Sequence, residues 1–189
     1  ALLFTQTGGG CRASNYIFLL RKALKEMGME YVPVISMSFS GLEKYSGFKI
    51  TLPMIRAGVT SIIYGDMLML LKNQVKPYEA NPGDTDRVLD KWYAELTSQM
   101  KRNHGLFGRS LARNLRAIAE DFHNVQRRDV KRTKVGIVGE IYVKYSAFGN
   151  NGLEEFLESQ GCEYMVPGVF PFFQFMFDCQ LADREFYGD

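Results

Sequence analysis

The sequence predicts an α/β protein with two Rossmann-like or flavodoxin-like lobes of parallel strands, bridged by helices, the second lobe being truncated. The first observation is the order strand, glycine loop, helix, strand over residues 1–35, because strands joined through a helix run parallel. The second is an internal echo, since GMEYVP at residues 28–33 and GCEYMVP at residues 161–167 each follow an amphipathic helix. The third is the helical spacing of apolar residues between the lobes.

The first lobe follows from local signals. Residues 1–5 are apolar and predict a buried strand, and residues 7–13 predict a tight loop. Ser14 is a candidate N-cap for the next helix, and Gly28 stands where a left-handed residue ends a helix. Residues 31–35 predict the second strand. Because its proline has no N–H group, we expect this strand at an edge or at an irregularity.

Three helices are predicted after the second strand, at residues 54–74, 84–101 and 107–126, and the last two of them lie between the lobes. The first of them is long and largely apolar. No uninterrupted apolar run reaches the roughly 18–20 residues that a bilayer requires. Charged residues interrupt the long helix, namely Arg56, Asp66 and Lys72. We therefore expect a core helix and no membrane span.

The second lobe is predicted from its strands and one capped helix. Residues 135–138 and 163–166 predict strands, and residues 152–160 predict a helix that Asn151 caps. The aromatic residues 170–177 predict a helix packed at an interface between lobes.

A basic segment at residues 126–134 precedes this lobe and allows two interpretations. A functional one is a patch that binds phosphate or nucleic acid. The other, which we favour because no aromatic residue interleaves the charges, is a solvated linker. The predicted domains are therefore residues 1–80, the first lobe; residues 81–130, a helical bridge; and residues 131–189, a partial second lobe.

Composition limits the classes of function. The chain has 189 residues and a formal net charge of +2, which indicates neither a nucleic-acid nor a membrane surface. The three cysteines Cys11, Cys162 and Cys179 are odd in number and widely spaced, so we expect no disulfide framework and a cytoplasmic location. The chain opens with alanine instead of methionine and its second lobe is short, so we expect a piece of a longer protein.

The segment TGGGCRAS at residues 7–14 is the candidate binding loop. The glycines Gly8, Gly9 and Gly10 let the backbone turn closely around a ligand, and Cys11 and Arg12 follow at the start of a helix. Unpaired amides and the helix dipole there favour an anion, an iron–sulfur cluster or a thiolate. The alternative is that Cys11 is a small buried residue in a tight turn. The segment has neither the G-x-G-x-x-G spacing of dinucleotide-binding loops nor a P-loop lysine.

Other candidate residues are fewer. Glu140 follows the first strand of the second lobe, so its carboxylate either orients a substrate or lies at the surface as an ordinary polar residue. His104 and His123 lie on or near the helical bridge and are interpreted as surface or structural residues. Since Cys162 and Cys179 form no C-x-x-C pair with another cysteine, a complete metal site is not expected from spacing alone.

Several long motifs resemble one family. The sequence FTQTGGGCRASNYIFLLRKAL covers residues 4–24, KVGIVGEIYVKYSAFGNN covers residues 134–151, and LEEFLESQG covers residues 153–161. In this order they are similar to the large activator proteins of the 2-hydroxyacyl-CoA dehydratase system, also described as CoA-substrate-specific enzyme activases. In that family an ATPase region is joined to parts that resemble the dehydratase subunits, and this chain resembles the D-subunit-like part.

The resemblance implies an anaerobic, cytoplasmic system in which ATP hydrolysis drives one electron into a dehydratase that acts through a radical. It implies an iron–sulfur cluster as cofactor, with Cys11 as the residue that binds the metal. The implied partners are dehydratase or reductase subunits, the ATPase region of the parent protein and a CoA thioester, with no nucleic acid and no membrane.

Overall fold

A computed structural model describes residues 1–6, 12–38 and 51–188, and the chain divides there into two units, Ala1–Leu52 and Pro53–Asp189. The predicted division into residues 1–80, 81–130 and 131–189 stays a prediction. The glycine–cysteine segment at residues 7–11 lies outside the described residues.

The first unit contains one parallel strand pair and one helix. Strand β1 (Leu2–Gln6) pairs with β2 (Val34–Ser38) in a continuous parallel register. A 3-10 turn at Arg12–Ser14 leads into α1 (Tyr16–Glu26), whose inner face is apolar. The predicted order of strand, helix and parallel strand is thus confirmed, and the predicted loop at residues 7–11 lies outside the described residues.

Two boundaries in this unit differ from the sequence prediction. β2 begins after Pro33 instead of before it, and the Pro33 carbonyl accepts a hydrogen bond from Leu2 N at 2.8 Å. Because the proline stands outside the strand, its missing N–H removes no bond from the ladder. Helix α1 begins at Tyr16, so Asn15, and not Ser14, occupies the cap position.

The second unit begins with three helices that share one core. They are α2 (Leu52–Val75), α3 (Asp84–Lys101) and α4 (Gly108–His123), which agree with the predicted helices to within a few residues. Apolar stripes at helical spacing explain the agreement, since each stripe is buried against the other two helices. The buried residues of this core are Tyr64, Leu68, Val75, Trp92, Leu96, Ile118, Phe122 and Val125.

A second core follows in the same unit. The short strands β3 (Lys134–Gly136) and β4 (Glu163–Met165) are parallel. Between them lie α5 (Ile141–Tyr145) and α6 (Leu153–Ser159), and α7 (Val169–Tyr187) follows β4. The buried residues of this core are Ile137, Leu157, Tyr164 and Val166, and Cys162 packs against them.

Helix α2 contributes to both cores from opposite faces. Tyr64 and Leu68 belong to the core with α3 and α4, whereas Met69 packs against the second core. Asn73 is buried as well, and it lies nine positions after Tyr64, about two and a half helical turns. It therefore shares the side of Met69. Two apolar faces explain why this helix is apolar around its circumference instead of along one stripe.

Judged by length and composition alone, Leu52–Tyr78 is the one helical segment among the described residues that is long and apolar enough to cross a membrane. Within this segment Tyr64 and Leu68 are nevertheless core residues, and the side chains of Asp66 and Lys72 bind other parts of the second unit. The sequence prediction that the chain has no membrane span stays a prediction.

The basic segment is exposed along most of its length, and it is also held against a preceding turn. Ala80 N donates to Gln126 O at 2.8 Å, and Arg128 N donates to Tyr78 O at 2.7 Å. These two bonds form a short antiparallel bridge, so the segment has a defined path from the end of α4 to β3.

The mixed α/β class is confirmed, with two separate pairs of short parallel strands and a high helix content. Two complete Rossmann-like lobes are not confirmed, because each described sheet has two strands. The prediction that Asn151 caps α6 is wrong: Asn150 Oδ1 accepts a hydrogen bond from Leu153 N at 3.1 Å.

Replacing Asn73 should stabilise the protein. Asn73 is 2% exposed, and neither its Oδ1 nor its Nδ2 atom has a hydrogen-bond partner among the described residues. A buried amide without partners destabilises a fold, so we expect Asn73→Leu to raise the free energy of unfolding by about 1 kcal/mol in urea titrations. The control is Asn114→Leu, because Asn114 is also buried but donates to Tyr64 Oη at 2.9 Å. A loss of stability in both variants would contradict this interpretation.

Candidate functional site

The carboxyl end of β1 is fixed by Gln6. Its Nε2 atom donates to Ser14 O at 2.9 Å, and its Oε1 atom accepts from Ser36 Oγ at 2.8 Å. One side chain thus joins the end of β1, the turn before α1 and the neighbouring strand β2. The two residues that flank the glycine–cysteine segment, Gln6 and Arg12, consequently belong to well-defined elements on either side.

This edge has the properties of a ligand-binding edge in α/β proteins, because the segment follows the carboxyl end of a parallel strand and precedes a helix. Arg12 is exposed at the beginning of the 3-10 turn. Asn15 makes no side-chain cap to α1 within the described part of the chain. The predicted binding residues Gly8, Gly9, Gly10 and Cys11 lie outside the described residues, so their roles stay predictions.

At the carboxyl edge of the second strand pair, Glu140 caps α5. Glu140 Oε2 accepts hydrogen bonds from Tyr142 N at 2.9 Å and from Val143 N at 3.3 Å. The carboxylate thereby satisfies two amides that the first turn of a helix leaves without partners. The contact shows a local structural role for Glu140, and its predicted role toward a substrate stays a prediction.

A second carboxylate closes the same edge. Asp66 of α2 accepts hydrogen bonds from Val169 N at 2.8 Å and Phe170 N at 2.7 Å, so it caps α7 across more than one hundred residues of chain. Nearby, Tyr145 Oη donates to Pro167 O. Burial, and secondarily the charge of Asp66, raise the pKa of Tyr145, which stays a protonated donor. The helix amides at this edge are thus already bound by carboxylates.

A third charged group, around Glu158, has a structural role. Its carboxylate accepts from Lys72 and from Tyr164 Oη at 2.7 Å on one oxygen, and it pairs with Lys76 at 3.0 Å on the other. Burial alone would raise the pKa of Glu158, but the hydrogen bonds from these three residues outweigh it and lower that pKa. The group therefore ties α2 to α6 and β4.

The described residues contain no group of three or more histidine, cysteine, aspartate or glutamate residues that could hold a metal ion. Cys162 packs against the second core, and Cys179 is half-buried in α7. His104 and His123 are exposed, as the sequence analysis expected. A complete iron–sulfur cluster therefore does not fit the described side chains, and ligands beyond them would be required.

Comparisons of the chain with protein-family models, curated proteins and solved structures give no match. Function is therefore inferred from the contacts of this chain and from the resemblance of its motifs.

The cap on α7 predicts opposite effects for two glycine substitutions. A Cβ atom on Gly168 would lie 2.6 Å from Asp66 Oδ2, whereas a Cβ atom on Gly58, inside α2, would meet nothing within 4 Å. We expect Gly168→Ala to lower the free energy of unfolding by about 1–2 kcal/mol through loss of the cap. Gly58→Ala should raise it by up to about 1 kcal/mol. Equal changes in thermal unfolding of the two variants would argue against the cap.

Acid should weaken the contacts of Glu158. Its folded-state pKa lies below the unfolded value of about 4.3, so the stabilisation is present above that pH and is lost as the pH falls through the folded-state pKa. We expect Glu158→Gln to destabilise by about 2 kcal/mol at pH 7 and to lose less stability than the wild type on acidification. The control is Glu155→Gln, since Glu155 is exposed on the same helix. Urea titrations at pH 7 and pH 3 measure the free energy of unfolding of each variant. An equal loss of stability between the two pH values in the wild type and in Glu158→Gln would refute the stabilising role of the Glu158 carboxylate.

Proposed function

We propose that this chain is the dehydratase-subunit-like part of an iron–sulfur protein that takes part in ATP-driven one-electron activation of 2-hydroxyacyl-CoA dehydration in the cytoplasm. In this proposal Cys11 supplies one thiolate to the cluster, and the parent protein contains two Rossmann-like lobes. The observation that carries the proposal is the position of GGGCR between the carboxyl end of β1 and the turn that leads into α1.

The local electrostatics support this choice of ligand. Amides at the start of an α-helix carry positive potential, which favours a thiolate over a thiol. Arg12 adds a positive charge next to Cys11 in the sequence. Gln6 joins β1, β2 and the turn at Ser14. The residues on either side of the glycine–cysteine segment are therefore already ordered before a ligand binds, which lowers the entropy cost of binding.

The remaining ligands must come from elsewhere. A cluster uses about four ligands, mostly cysteines. Of the other cysteines of this chain, Cys162 packs against the second core and Cys179 is half-buried in α7. We therefore propose that dehydratase or reductase subunits, or other parts of the parent protein, complete the site. When bound, the cluster would carry one electron, and the role of this chain is to hold it next to its partner and a CoA thioester.

Iron binding tests the assignment of Cys11. The chain is incubated anaerobically with iron, sulfide and a small thiol that fills open positions, and iron content and visible absorption are measured after desalting. We expect Cys11→Ala to lose most of the iron that the wild type retains. The matched control is Cys179→Ala, which removes one thiol from α7 and should bind as the wild type does. If Cys11→Ala retained the full iron content, the assignment would be wrong.

A second candidate function is a cluster-free scaffold that binds a partner protein or an anionic small molecule. It is favoured by α7, on which Phe173, Phe177 and Leu181 recur at helical spacing and are exposed, Phe177 by 66%. Exposed apolar stripes of this kind are typical of interaction surfaces. In this alternative Cys11 is a small residue in a tight turn, and the wild type binds no more iron than Cys11→Ala.

A further inference from the structure

Two arginines of the basic segment line one cavity. The cavity has a volume of about 210 Å³ and lies where the turn after α2 meets the basic segment and the end of α6. Its charged lining residues are Lys76, Glu79, Arg128, Arg132 and Glu158. Three of them are basic and two are acidic, so the question is which of these charges are already neutralised.

Both guanidinium groups are held in place through their Nε atoms. Arg128 Nε donates to Glu79 O at 3.0 Å, and Arg132 Nε donates to Pro77 O at 3.1 Å. Across the described parts of the chain, the terminal nitrogens of the two arginines have neither a carboxylate partner nor another hydrogen bond. Each group therefore keeps a forked pair of donors and a full charge without an anion.

The acidic residues of the cavity are engaged elsewhere. Glu79 is buried, and its two oxygens accept from Gly83 N and Thr85 N at 2.9 Å each, at the start of α3. The two oxygens of Glu158 accept from Tyr164 and Lys72 on one side and from Lys76 on the other. Among the described residues, neither carboxylate therefore forms an ion pair with Arg128 or Arg132.

Gly161 lets the guanidinium group of Arg132 lie close against its backbone. A Cβ atom on Gly161 would lie 2.9 Å from Arg132 Nη1, so any other residue at this position would push the guanidinium group away. Gly161 also has a φ angle of 65°, which disfavours other residues for backbone reasons. The cavity thus combines fixed donors with room for a small ligand.

We propose that this cavity binds the phosphate group of a small molecule, held by the terminal nitrogens of Arg128 and Arg132. Planar guanidinium forks match the oxygens of a phosphate in paired hydrogen bonds, and two forks contact one tetrahedral anion from two directions. Lys76 adds charge from a third direction, shared with Glu158 and Asp86. The site is independent of the proposed iron–sulfur function, since it involves neither Cys11 nor its flanking residues.

Calorimetric titration of the complete chain tests the site with two probes, inorganic phosphate and glycerol 3-phosphate. The two probes distinguish a site for the free anion from one for a phosphate ester. We expect at least one probe to bind and Arg128→Gln and Arg132→Gln each to weaken that binding about tenfold or more, because hydrogen bonds to charged groups are strong. Arg132→Lys should weaken it too, since lysine keeps the charge but lacks the fork.

The matched controls are Arg127→Gln and Lys131→Gln, which remove one positive charge each from the same segment outside this cavity. Arg127 donates to His123 O at 3.0 Å and is exposed. Both controls should bind the probe within about twofold of the wild type, because screening weakens exposed charges at a distance. Thermal unfolding of every variant verifies folding, and Arg132→Lys serves if a glutamine variant does not fold.

Three results would overturn the proposal. The first is the absence of binding by either probe at millimolar concentration to the folded wild type. The second is equal weakening by control and cavity substitutions, which would indicate diffuse attraction to a basic segment. The third is tighter binding of a single-stranded oligonucleotide than of either probe, with an affinity that falls equally on replacement of each of the four basic residues. That result would indicate a nucleic-acid surface instead of a phosphate cavity.

Discussion

The structure of the larger unit depends on the use of α2 from two opposite sides. Tyr64 and Leu68 face the helical core, and Met69 and Asn73 lie on the side of the second core. A strand pair of three residues each is too short to be stable without a packed face. The long helix supplies that face, while Lys72 and Asp66 attach α6 and α7 to it.

A second recurring feature of this fold is a carboxylate at the start of a helix. Glu79, Glu140 and Asp66 accept amide hydrogen bonds at the beginnings of α3, α5 and α7. An anionic ligand at any of these helix starts would have to displace a carboxylate of the protein itself. Helix α1 differs, because its cap position holds Asn15 without a side-chain cap in the described residues. This difference separates the start of α1 from the starts of α3, α5 and α7 as a place for a ligand, and α4, whose cap residue Phe107 makes no side-chain cap to the described residues either, shares it.

The helices could be predicted well from the sequence because their stripes are local patterns, and α3 ends at the predicted Lys101. Strand β2 was misplaced because the apolar pattern around Pro33 does not say on which side of the proline the pairing begins. The cap by Asp66 was not predictable, since its partners lie more than one hundred positions away. For the same reason the arginines of the basic segment looked like solvated charges, although their Nε atoms bind the turn at Pro77 and Glu79.

Native-state hydrogen exchange at increasing urea concentrations measures most directly whether α2 joins the two cores into one cooperative unit. The amides of α4 report on the helical core, and those of β4 report on the second core. If α2 joins the two cores into one cooperative unit, the slowest amides of α4 and β4 should converge on one opening free energy with the same dependence on urea. A lower opening free energy for β4, with its own shallow dependence on urea while α4 stays closed, would contradict this account.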